Sequence, residues 1–364
     1  MKIVQLLPEL NEGGVERGTM ELSRELVALG HESIVISAGG KLVQQIEEDG
    51  GKHITLDVCS KNVLTVPSRM LKLRKLLKEL QPDVLHARSR VPAWLTYLAN
   101  KKLHFSFVTT VHGFNSISFY SKIMTKSDQV ICVSAAIKKY IQKHYNTSGD
   151  IITVIPRGVD LEKFNPNDVD TNYIDTFKKE YQLKDKLIVT SVGRITQLKD
   201  LETFIRAIAI TKEKKSNIMG LIVGGVREDK QVYFEGLKSL IKALKLEENI
   251  VFTGSQSKIP EIYTLSNVVV SSSKKPESFG RTAAEALAMN CPVIATGHGG
   301  ILDIVIPDKT GWLFESGDEN KLAQNILISQ THKLEGLRSF VEKRFTLDEM
   351  VHSTIKVYNK LYRK

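Results

Sequence analysis

Short apolar runs alternate with amphipathic segments along the chain, and this alternation predicts an α/β fold. The first run, Lys2–Leu7, is followed by a helical pattern over Val15–Leu29 and a second run at His31–Ser37. Short β-branched and aliphatic runs are typical of buried parallel strands, which helices connect. The pattern starts again at Lys186–Val192, after a polar aperiodic stretch, Asn165–Asp175, that we interpret as a linker. The sequence therefore predicts two domains, each with a doubly wound parallel sheet.

One strand–loop–helix unit, Val268–Gly300, carries the densest polar chemistry. An apolar strand leads into a loop with Glu277, a helical segment begins near Gly280, and Glu285 follows within that segment. Ligands of open α/β sheets bind at the carboxyl ends of the strands, and a helix N-terminus favours phosphate. An acid on each side of such a phosphate site favours hydroxyl groups at both ends of the ligand. A nucleotide-sugar has this layout.

Cations follow other predicted strands. Arg194 and Lys199 follow the strand Lys186–Val192 and are placed to neutralise a diphosphate without a metal. Arg88 and Arg90 follow a strand that ends at Ala87, where they can bind a carboxylate or a phosphate.

Three further positions leave the choice between structure and function open. The loop that contains Gly13 and Gly14 is either a tight turn or a close approach to a ligand. His112 ends a strand beside a glycine, although a single histidine is more often structural. Gly254 and Ser255 end another strand and are candidates for contact with a nucleobase.

Composition narrows the class of partner. The 364 residues are 42% hydrophobic and 25% charged, which is typical of a globular protein of two domains. The net charge of +10 favours an anionic partner, and its even spread along the chain disfavours nucleic acid. No apolar run reaches the roughly 18 residues of a membrane span. The three cysteines lack metal spacing, and we interpret Asp168 and Asp170 as solvated loop acids, so we expect no metal site.

The segment Val66–Leu80 is a basic amphipathic helix. Its apolar residues share one face, and Arg69, Lys72, Arg74, Lys75 and Lys78 cover much of the rest. Such a helix either lies on an anionic membrane or packs on the core with a solvated face. Both interpretations stay open.

The motifs together resemble those of the family 4 retaining glycosyltransferases, which have the GT-B fold. The resemblance covers nearly the whole chain, and its most specific part is the pair of glutamates separated by seven residues. The motifs are Gly13-Gly14, Val192-Gly193-Arg194 with Lys199, Glu277-Ser278-Phe279-Gly280, Glu285 and Pro292-Val293-Ile294-Ala295-Thr296.

The resemblance implies two Rossmann-like domains that face each other across a cleft. Residues 1–165 would form the acceptor domain, with the C-terminal helix of residues 348–364 packing back on it. Residues 166–347 would form the domain that binds the nucleotide-sugar donor. The donor is a co-substrate, so the family pattern implies neither a cofactor nor a metal.

The resemblance also implies a role for each candidate residue. In the catalytic group, Glu277 holds sugar hydroxyls, Arg194 and Lys199 bind the diphosphate, and His112 lies near the sugar. The donor-binding group comprises Gly14, Gly193, Ser255, Lys258, Phe279, Gly280, Arg281, Thr282 and Glu285. Within it, Phe279 and Gly280 offer backbone N–H groups to the sugar, Arg281 and Thr282 bound the phosphate end of the helix, and Glu285 takes the ribose hydroxyls.

A narrower resemblance is to bacterial lipopolysaccharide-core mannosyltransferases, through motifs around Gly13, Ser60, His86 and Ile155. It implies transfer of a hexosyl group, mannosyl from GDP-mannose, with retention, onto an anionic glycolipid. The acceptor side would include Lys61, Arg88 and Arg90. The protein would then be cytoplasmic and peripheral on the inner face of the membrane. Two alternatives remain: a nucleotide-sugar epimerase or hydrolase of the same fold, and a non-catalytic protein that binds sugar nucleotides.

Overall fold

The computed structural model describes residues 1–11 and 13–362 and divides the chain into two compact units. Unit 1 comprises Met1–Gly158 and the C-terminal residues from Leu347, and unit 2 comprises Val159–Thr346. Each unit is built on its own parallel sheet.

Unit 1 contains a seven-stranded sheet in which every pairing is parallel. Its strands are β1 Lys2–Leu6, β2 Glu32–Ser37, β3 Lys52–Thr55, β4 Val84–Ala87, β5 Ser106–Val111, β6 Gln129–Cys132 and β7 Ile152–Val154, in the order β3-β2-β1-β4-β5-β6-β7. The helices between them are α1 Gly14–Ala28, α2 Val43–Glu48, α3 Val66–Leu80, α4 Arg90–Asn100 and α5 Ala135–Tyr145.

Unit 2 contains a six-stranded sheet, also parallel throughout. Its strands are β8 Leu187–Val192, β9 Ile218–Val223, β10 Ile250–Gly254, β11 Val268–Ser271, β12 Val293–Thr296 and β13 Gly311–Phe314, in the order β10-β9-β8-β11-β12-β13. Its helices are α6 Thr171–Glu180, α7 Leu201–Lys212, α8 Gln231–Ala243, α9 Ile259–Leu265, α10 Arg281–Ala288, α11 Glu319–Thr331 and α12 Leu337–Glu342. The last helix of the chain, α13, spans Leu347–Tyr362.

The strand orders confirm the predicted doubly wound architecture and place its switch points. In unit 1, β1 lies between β2 and β4, and in unit 2, β8 lies between β9 and β11. The chain therefore leaves these strands in opposite directions along the sheet. The loops after β1 and β4 in unit 1, and after β8 and β11 in unit 2, therefore diverge at the carboxyl edge of the sheet. In open α/β sheets the crevice between such loops is where ligands bind.

Local end signals predicted several element boundaries correctly and one incorrectly. Ser134 caps α5, since its hydroxyl accepts from Ile137 N at 3.2 Å. The predicted linker is wrong in its second half, because α6 begins inside it. Asp170, interpreted as a loop acid, accepts from Tyr173 N at 3.0 Å and caps that helix.

Helix α13 packs on the hydrophobic core of unit 1. Tyr358 is fully buried there, and its hydroxyl lies 2.6 Å from Nδ1 of His86 on β4. The other ring nitrogen, Nε2, lies 2.6 Å from the hydroxyl of Thr110 on β5. Burial, followed by the charges of Arg88 and Arg157, holds the pKa of His86 well below its usual value, so the ring is neutral. The C-terminal helix is thus tied to two central strands.

The exposed face of α3 differs from the one that the sequence predicts. Arg69 is buried: it donates to Thr65 Oγ1 at 3.0 Å and to Asn62 O at 3.2 Å. Arg74 is half-buried and donates to the carbonyls of Leu98 and Ala99 near the end of α4. Both side chains satisfy backbone carbonyls, so the solvated basic face consists of Lys72, Lys75 and Lys78. Among the helices that the structure describes, none has the length and the apolar character needed to span a membrane.

The Tyr358–His86 contact generates a stability prediction. Tyr358→Phe removes the partner of a fully buried ring nitrogen, so the free energy of unfolding of unit 1 should fall by about 1–3 kcal/mol. Urea unfolding followed by tryptophan fluorescence measures this change. Tyr362→Phe, an exposed tyrosine of the same helix, is the matched control and should have almost no effect. Equal midpoints for the two variants would show that the buried contact contributes nothing.

Candidate active site

The loop between β11 and α10 is held in place by a glycine loop after β12. Gly300 N donates to Glu277 O at 2.6 Å, and Glu277 and Gly299 form an isolated parallel bridge. A Cβ at Gly300 would overlap the carbonyl of Ser278, so only glycine permits this approach. The glycines predicted as a loop after β12 therefore position the acidic loop.

Glu277 and Lys199 form an ion pair at the carboxyl edge of the sheet in unit 2. Lys199 Nζ donates to Glu277 Oε1 at 2.7 Å, and Ser273 Oγ donates to the same oxygen at 2.6 Å. Their side chains are about a quarter exposed, 26% for Glu277 and 27% for Lys199. Glu277 Oε2 makes no hydrogen bond with the described residues, so it can accept one from a ligand hydroxyl.

The charge state of Glu277 follows from competing effects. Burial acts to raise the pKa of this carboxyl, but the charge of Lys199 and the hydrogen bonds from Lys199 and Ser273 outweigh it. The net result is a pKa below the usual value. Glu277 is therefore ionised at neutral pH and acts as a hydrogen-bond acceptor.

Gly280 is the N-cap of α10, and its backbone lies in the left-handed region, with φ of +107°. This positive φ strains any residue that has a Cβ, and a Cβ would also meet Ile301 Cδ1, so the turn favours glycine. Phe279, which precedes this turn, is buried and packs against Phe345, with ring centroids 5.5 Å apart. This packing anchors the turn in the core. The N–H groups of Arg281 and Thr282 belong to the first turn of α10, where the helix dipole favours an anion.

Glu285 is placed differently from Glu277. It lies in α10, only 5% exposed, and Tyr263 OH donates to its Oε2 at 3.4 Å. The structure therefore places this acid in the packed side of the helix.

The two predicted cations of unit 2, Arg194 and Lys199, both lie in the loop after β8. Gly193 is packed against Lys199, and a Cβ at Gly193 would lie 3.2 Å from Lys199 Cε. Arg194 is exposed and makes no hydrogen bond or ion pair with the part of the chain that the structure describes. One cation is thus held by Glu277, and the other is available to a ligand.

Two predicted donor-binding residues lie in the loop after β10. Ser255 is exposed there. Lys258 forms an ion pair with Asp170, at 3.4 Å, which occupies it in part. The structure does not bring Lys258 into contact with the Lys199–Glu277 pair.

Three predicted residues of unit 1 line one polar cavity of about 270 Å³. Arg88, Arg90 and His112 come from the ends of β4 and β5, together with Glu16 of α1. Arg88 is buried and donates to Gln5 Oε1 at 2.6 Å. Lys61 is not in this cavity: it is exposed on the segment before α3, at the edge of a separate apolar groove. Gly14 begins α1 beside Val15, which does line the cavity.

The tautomer of His112 follows from its neighbour. Arg157 NH2 lies 3.0 Å from His112 Nδ1. An arginine only donates, so Nδ1 accepts and the proton of the neutral ring is on Nε2. Burial, then the charges of Arg157 and Arg88, keeps the pKa of His112 well below its usual value. Nε2 is buried and has no hydrogen-bond partner among the described residues, so this N–H can donate to a hydroxyl oxygen of a ligand.

Sequence reasoning missed two residues of these sites. Arg157 sets the tautomer of His112, and Ser273 shares Glu277 with Lys199. Both lie within three residues of the end of a strand, Arg157 after β7 and Ser273 after β11. The rule that located Arg88 and Arg194, polar residues at carboxyl ends of strands, would have found them as well. Within residues 1–11 and 13–362, no group of three or more His, Cys, Asp or Glu side chains could hold a metal ion.

Comparison with protein families divides the chain in a similar way. The family model of glycosyl transferases group 1 matches residues 174–333, and the model of glycosyltransferase family 4 matches residues 12–163. Together the two matches cover most of both units.

Three known proteins illustrate the likeness. A glycosyltransferase of Rickettsia africae, known from its crystal structure, is 32% identical, with a TM-score of 0.91 over 99% of this chain and 98% of its own. N-acetyl-alpha-D-glucosaminyl L-malate synthase of Bacillus anthracis is 27% identical over 98% of this chain and 96% of its own. Anabaena HepE, crystallised with UDP-glucose, is 18% identical, with a TM-score of 0.86 over 99% of this chain and 100% of its own. These likenesses confirm the GT-B fold.

The pKa of Glu277 generates a prediction on pH and stability. An unperturbed carboxyl has a pKa of 4.5, and that of folded Glu277 is lower. Its contribution is therefore complete above about pH 4.5 and is lost as the pH falls through the folded-state pKa. Glu277→Gln should lower the free energy of unfolding of unit 2 by about 1 kcal/mol at pH 7.

This difference should vanish in acid, because protonated Glu277 resembles Gln. Urea unfolding of both proteins at neutral and acidic pH measures it. Glu248→Gln, at an exposed position of unit 2, controls for the general effect of losing a carboxylate. A difference that is the same at both pH values would contradict the assignment of the pair.

Proposed function

We propose a donor, an acceptor and a catalytic arrangement for this chain, which belongs to glycosyltransferase family 4 and is a glycosyltransferase. The protein moves a hexosyl group from a nucleoside diphosphate sugar to an anionic glycolipid, with retention at the anomeric carbon. The observation that carries the proposal is the Lys199–Glu277 pair beside the N-terminus of α10.

The donor subsite lies in unit 2. Arg194, Lys199 and the first N–H groups of α10 supply positive charge for a diphosphate, and Glu277 Oε2 supplies an acceptor for sugar hydroxyls. Anabaena HepE, which shares the fold, was crystallised with UDP-glucose, in keeping with a nucleotide-sugar as donor. Our specific hypothesis for the donor is GDP-mannose, from the motifs of unit 1.

Catalysis rests on charge that develops at the leaving diphosphate as the glycosidic bond breaks. Arg194 and Lys199 both lie in the loop after β8, where their positive charges can stabilise this developing charge. The acceptor oxygen bonds to the anomeric carbon on the face from which the diphosphate departs, and a phosphate oxygen takes the acceptor proton. Nε2–H of His112 donates to a sugar hydroxyl. This route needs no metal.

The acceptor subsite lies in unit 1, in the cavity of Arg88, Arg90 and His112. Two guanidinium groups at strand ends recognise a phosphate or a carboxylate. N-acetyl-alpha-D-glucosaminyl L-malate synthase makes a product that contains a dicarboxylate, which favours an anionic acceptor here also. We propose that the anion belongs to a lipopolysaccharide-core or related glycolipid.

The protein is proposed to be cytoplasmic and to meet that glycolipid at the inner face of the membrane. The exposed lysines of α3, Lys72, Lys75 and Lys78, would provide attraction to anionic headgroups. Lys61 is also exposed, on the segment just before α3.

The diphosphate assignment predicts the kinetic effect of three variants. Arg194→Ala and Lys199→Ala should each lower kcat by about 10²–10³, because each removes a donor to the developing charge. Glu277→Ala should also lower turnover of the donor, since sugar hydroxyls lose their acceptor. Initial rates with saturating nucleotide-sugar measure these effects, and Lys184→Ala, exposed on unit 2, is the control. Near-normal rates in all three variants would refute the proposed donor subsite.

The donor hypothesis predicts one preferred nucleotide-sugar. A thermal-shift panel of GDP-, UDP- and ADP-sugars should show the largest rise in Tm with GDP-mannose, and a ligand at 100 times its Kd adds about 2.7 kcal/mol of stability. Product analysis with and without glycolipid should then show transfer only when the acceptor is present, and EDTA should leave the rate unchanged. A larger shift with UDP-sugars would show that the donor carries uracil and not guanine. Turnover without an acceptor would indicate an epimerase or hydrolase. Inhibition by EDTA would refute the metal-free route.

A further inference from the structure

An apolar groove of about 510 Å³ lies in unit 1, apart from the polar cavity described above. One wall is a face of α4, where Val91, Trp94, Leu95 and Leu98 recur at the spacing of a helical stripe. The opposite wall comes from the start of α3 and the segment before it, including Val66. The volume falls within the usual range for small-molecule sites, about 300–1,000 Å³.

The rim of the groove is unusually apolar for a protein surface. Val63 is 75% exposed and Leu64 86% exposed on the α3 side, and Phe119 is 80% exposed on the other side. Phe119 packs on Trp94, with ring centroids 5.6 Å apart, and Trp94 Nε1 donates to Tyr120 O at 3.0 Å. Contiguous exposed apolar surface of this kind marks a binding site rather than a random surface residue.

The groove adjoins the polar cavity at Arg90 and Tyr120. Arg90 lines the cavity, Tyr120 lines the groove, and the Arg90 guanidinium lies over the Tyr120 ring, 5.4 Å from its centroid. Arg90 is the first residue of α4, and Val91 of the groove follows it directly. The helix thus runs from the anion-binding cavity along the apolar groove, over about 10 Å from Val91 to Leu98.

The charges around the groove indicate where the polar and apolar parts of a ligand would lie. Arg69, which lines its interior, is buried and donates to Thr65 Oγ1 and Asn62 O. Its NH1 has no hydrogen-bond partner among the described residues but lies 3.9 Å from Asp57 Oδ1, so a protein carboxylate already balances its charge. Lys61 is exposed at the rim. The anionic part of a ligand is therefore favoured at Arg90, and a neutral, apolar part is favoured along α4.

We propose that this groove binds the hydrocarbon chain of the acceptor molecule, whose anionic head lies in the cavity of Arg88 and Arg90. The inference rests on the proposed glycolipid acceptor and deepens it: the enzyme recognises the lipid chain itself as well as the charged head. A small soluble acid would fill only the cavity. An amphiphile fills both the cavity and the groove.

The experiment measures how affinity depends on chain length, with inorganic phosphate and the n-alkyl phosphates from butyl to decyl as probes. Calorimetric titration is done below the critical micelle concentration of each compound. Each methylene that enters the groove should lower Kd about fourfold, which corresponds to about 0.8 kcal/mol. The gain should stop once the chain passes Leu98. A Kd that does not change with chain length would overturn the proposal.

Variants distinguish binding of the anionic head group from binding of the hydrocarbon chain. Leu98→Gln and Val91→Gln, both at half-buried positions of the groove, should flatten the dependence on chain length. Arg90→Ala should raise Kd by one common factor for the whole series and leave the slope unchanged. Leu29→Gln, an exposed leucine of unit 1 outside the groove, is the control and should leave both quantities unchanged. A slope that survives both groove variants would place the chain elsewhere and overturn the proposal.

A vesicle experiment distinguishes the acceptor chain from the bilayer. Sedimentation with phosphatidylglycerol–phosphatidylcholine vesicles should depend on Lys72, Lys75 and Lys78 and be little affected by Leu98→Gln. If Leu98→Gln abolishes vesicle binding but not the alkyl-phosphate slope, the groove contacts the bilayer, and the proposal is wrong.

The outcome is also separable from that of the proposed function. If Kd falls with alkyl-chain length but no sugar is transferred to any glycolipid, the proposed function is refuted and the assignment of the groove stands. If sugar is transferred to glycolipid but Kd does not depend on chain length, the function stands and the assignment of the groove is refuted.

Discussion

Both sheets of this protein are parallel and covered by helices, and this constraint determines where chemistry is possible. Strand interiors such as Val268–Val270 are buried and apolar, so polar side chains are confined to the loops at the strand ends. Because the strand order reverses at β1 and at β8, the loops on either side diverge and leave a crevice. The polar residues with assigned roles on β4, β5, β8 and β11 all lie at or just after the carboxyl ends of these strands.

Charge pairing controls what these strand ends can do. In unit 2, Lys199 keeps Glu277 ionised despite its partial burial, while Arg194 stays available to a ligand. In unit 1, Arg157 fixes the tautomer of His112, and burial together with the charge of Arg157 lowers the pKa of the ring and keeps it neutral. In each unit a cation sets the state of a neighbour that is then ready to meet hydroxyl groups. A cation and a ligand-binding group are thus placed together twice in one chain.

The sequence predicted the fold class and most elements, since strand runs and helix caps are local signals. Ser134 illustrates this: one residue and its spacing to an apolar run located the start of α5. The same local reasoning failed for α3, because the burial of Arg69 depends on the Asn62 carbonyl and the Thr65 hydroxyl, which helical periodicity does not reveal. It also failed to separate Lys61 from Arg88 and Arg90, since the distance between two loops depends on tertiary packing. The pairing of Lys199 with Glu277 across 78 residues of sequence was beyond prediction for the same reason.

The Lys199–Glu277 pair has a consequence for the end of the reaction cycle. On the proposed mechanism, the donor draws Lys199 towards its phosphates and gives Glu277 sugar hydroxyls in exchange. After transfer the sugar is gone, so Glu277 has lost its ligand while the nucleoside diphosphate still occupies Lys199. The carboxylate, whose Oε1 lies 2.7 Å from Lys199 Nζ in the ligand-free structure, then competes with the product for this ammonium group. On the proposed mechanism, Glu277 is thus an internal anion that helps to displace the spent nucleotide and that is masked while the sugar is intact.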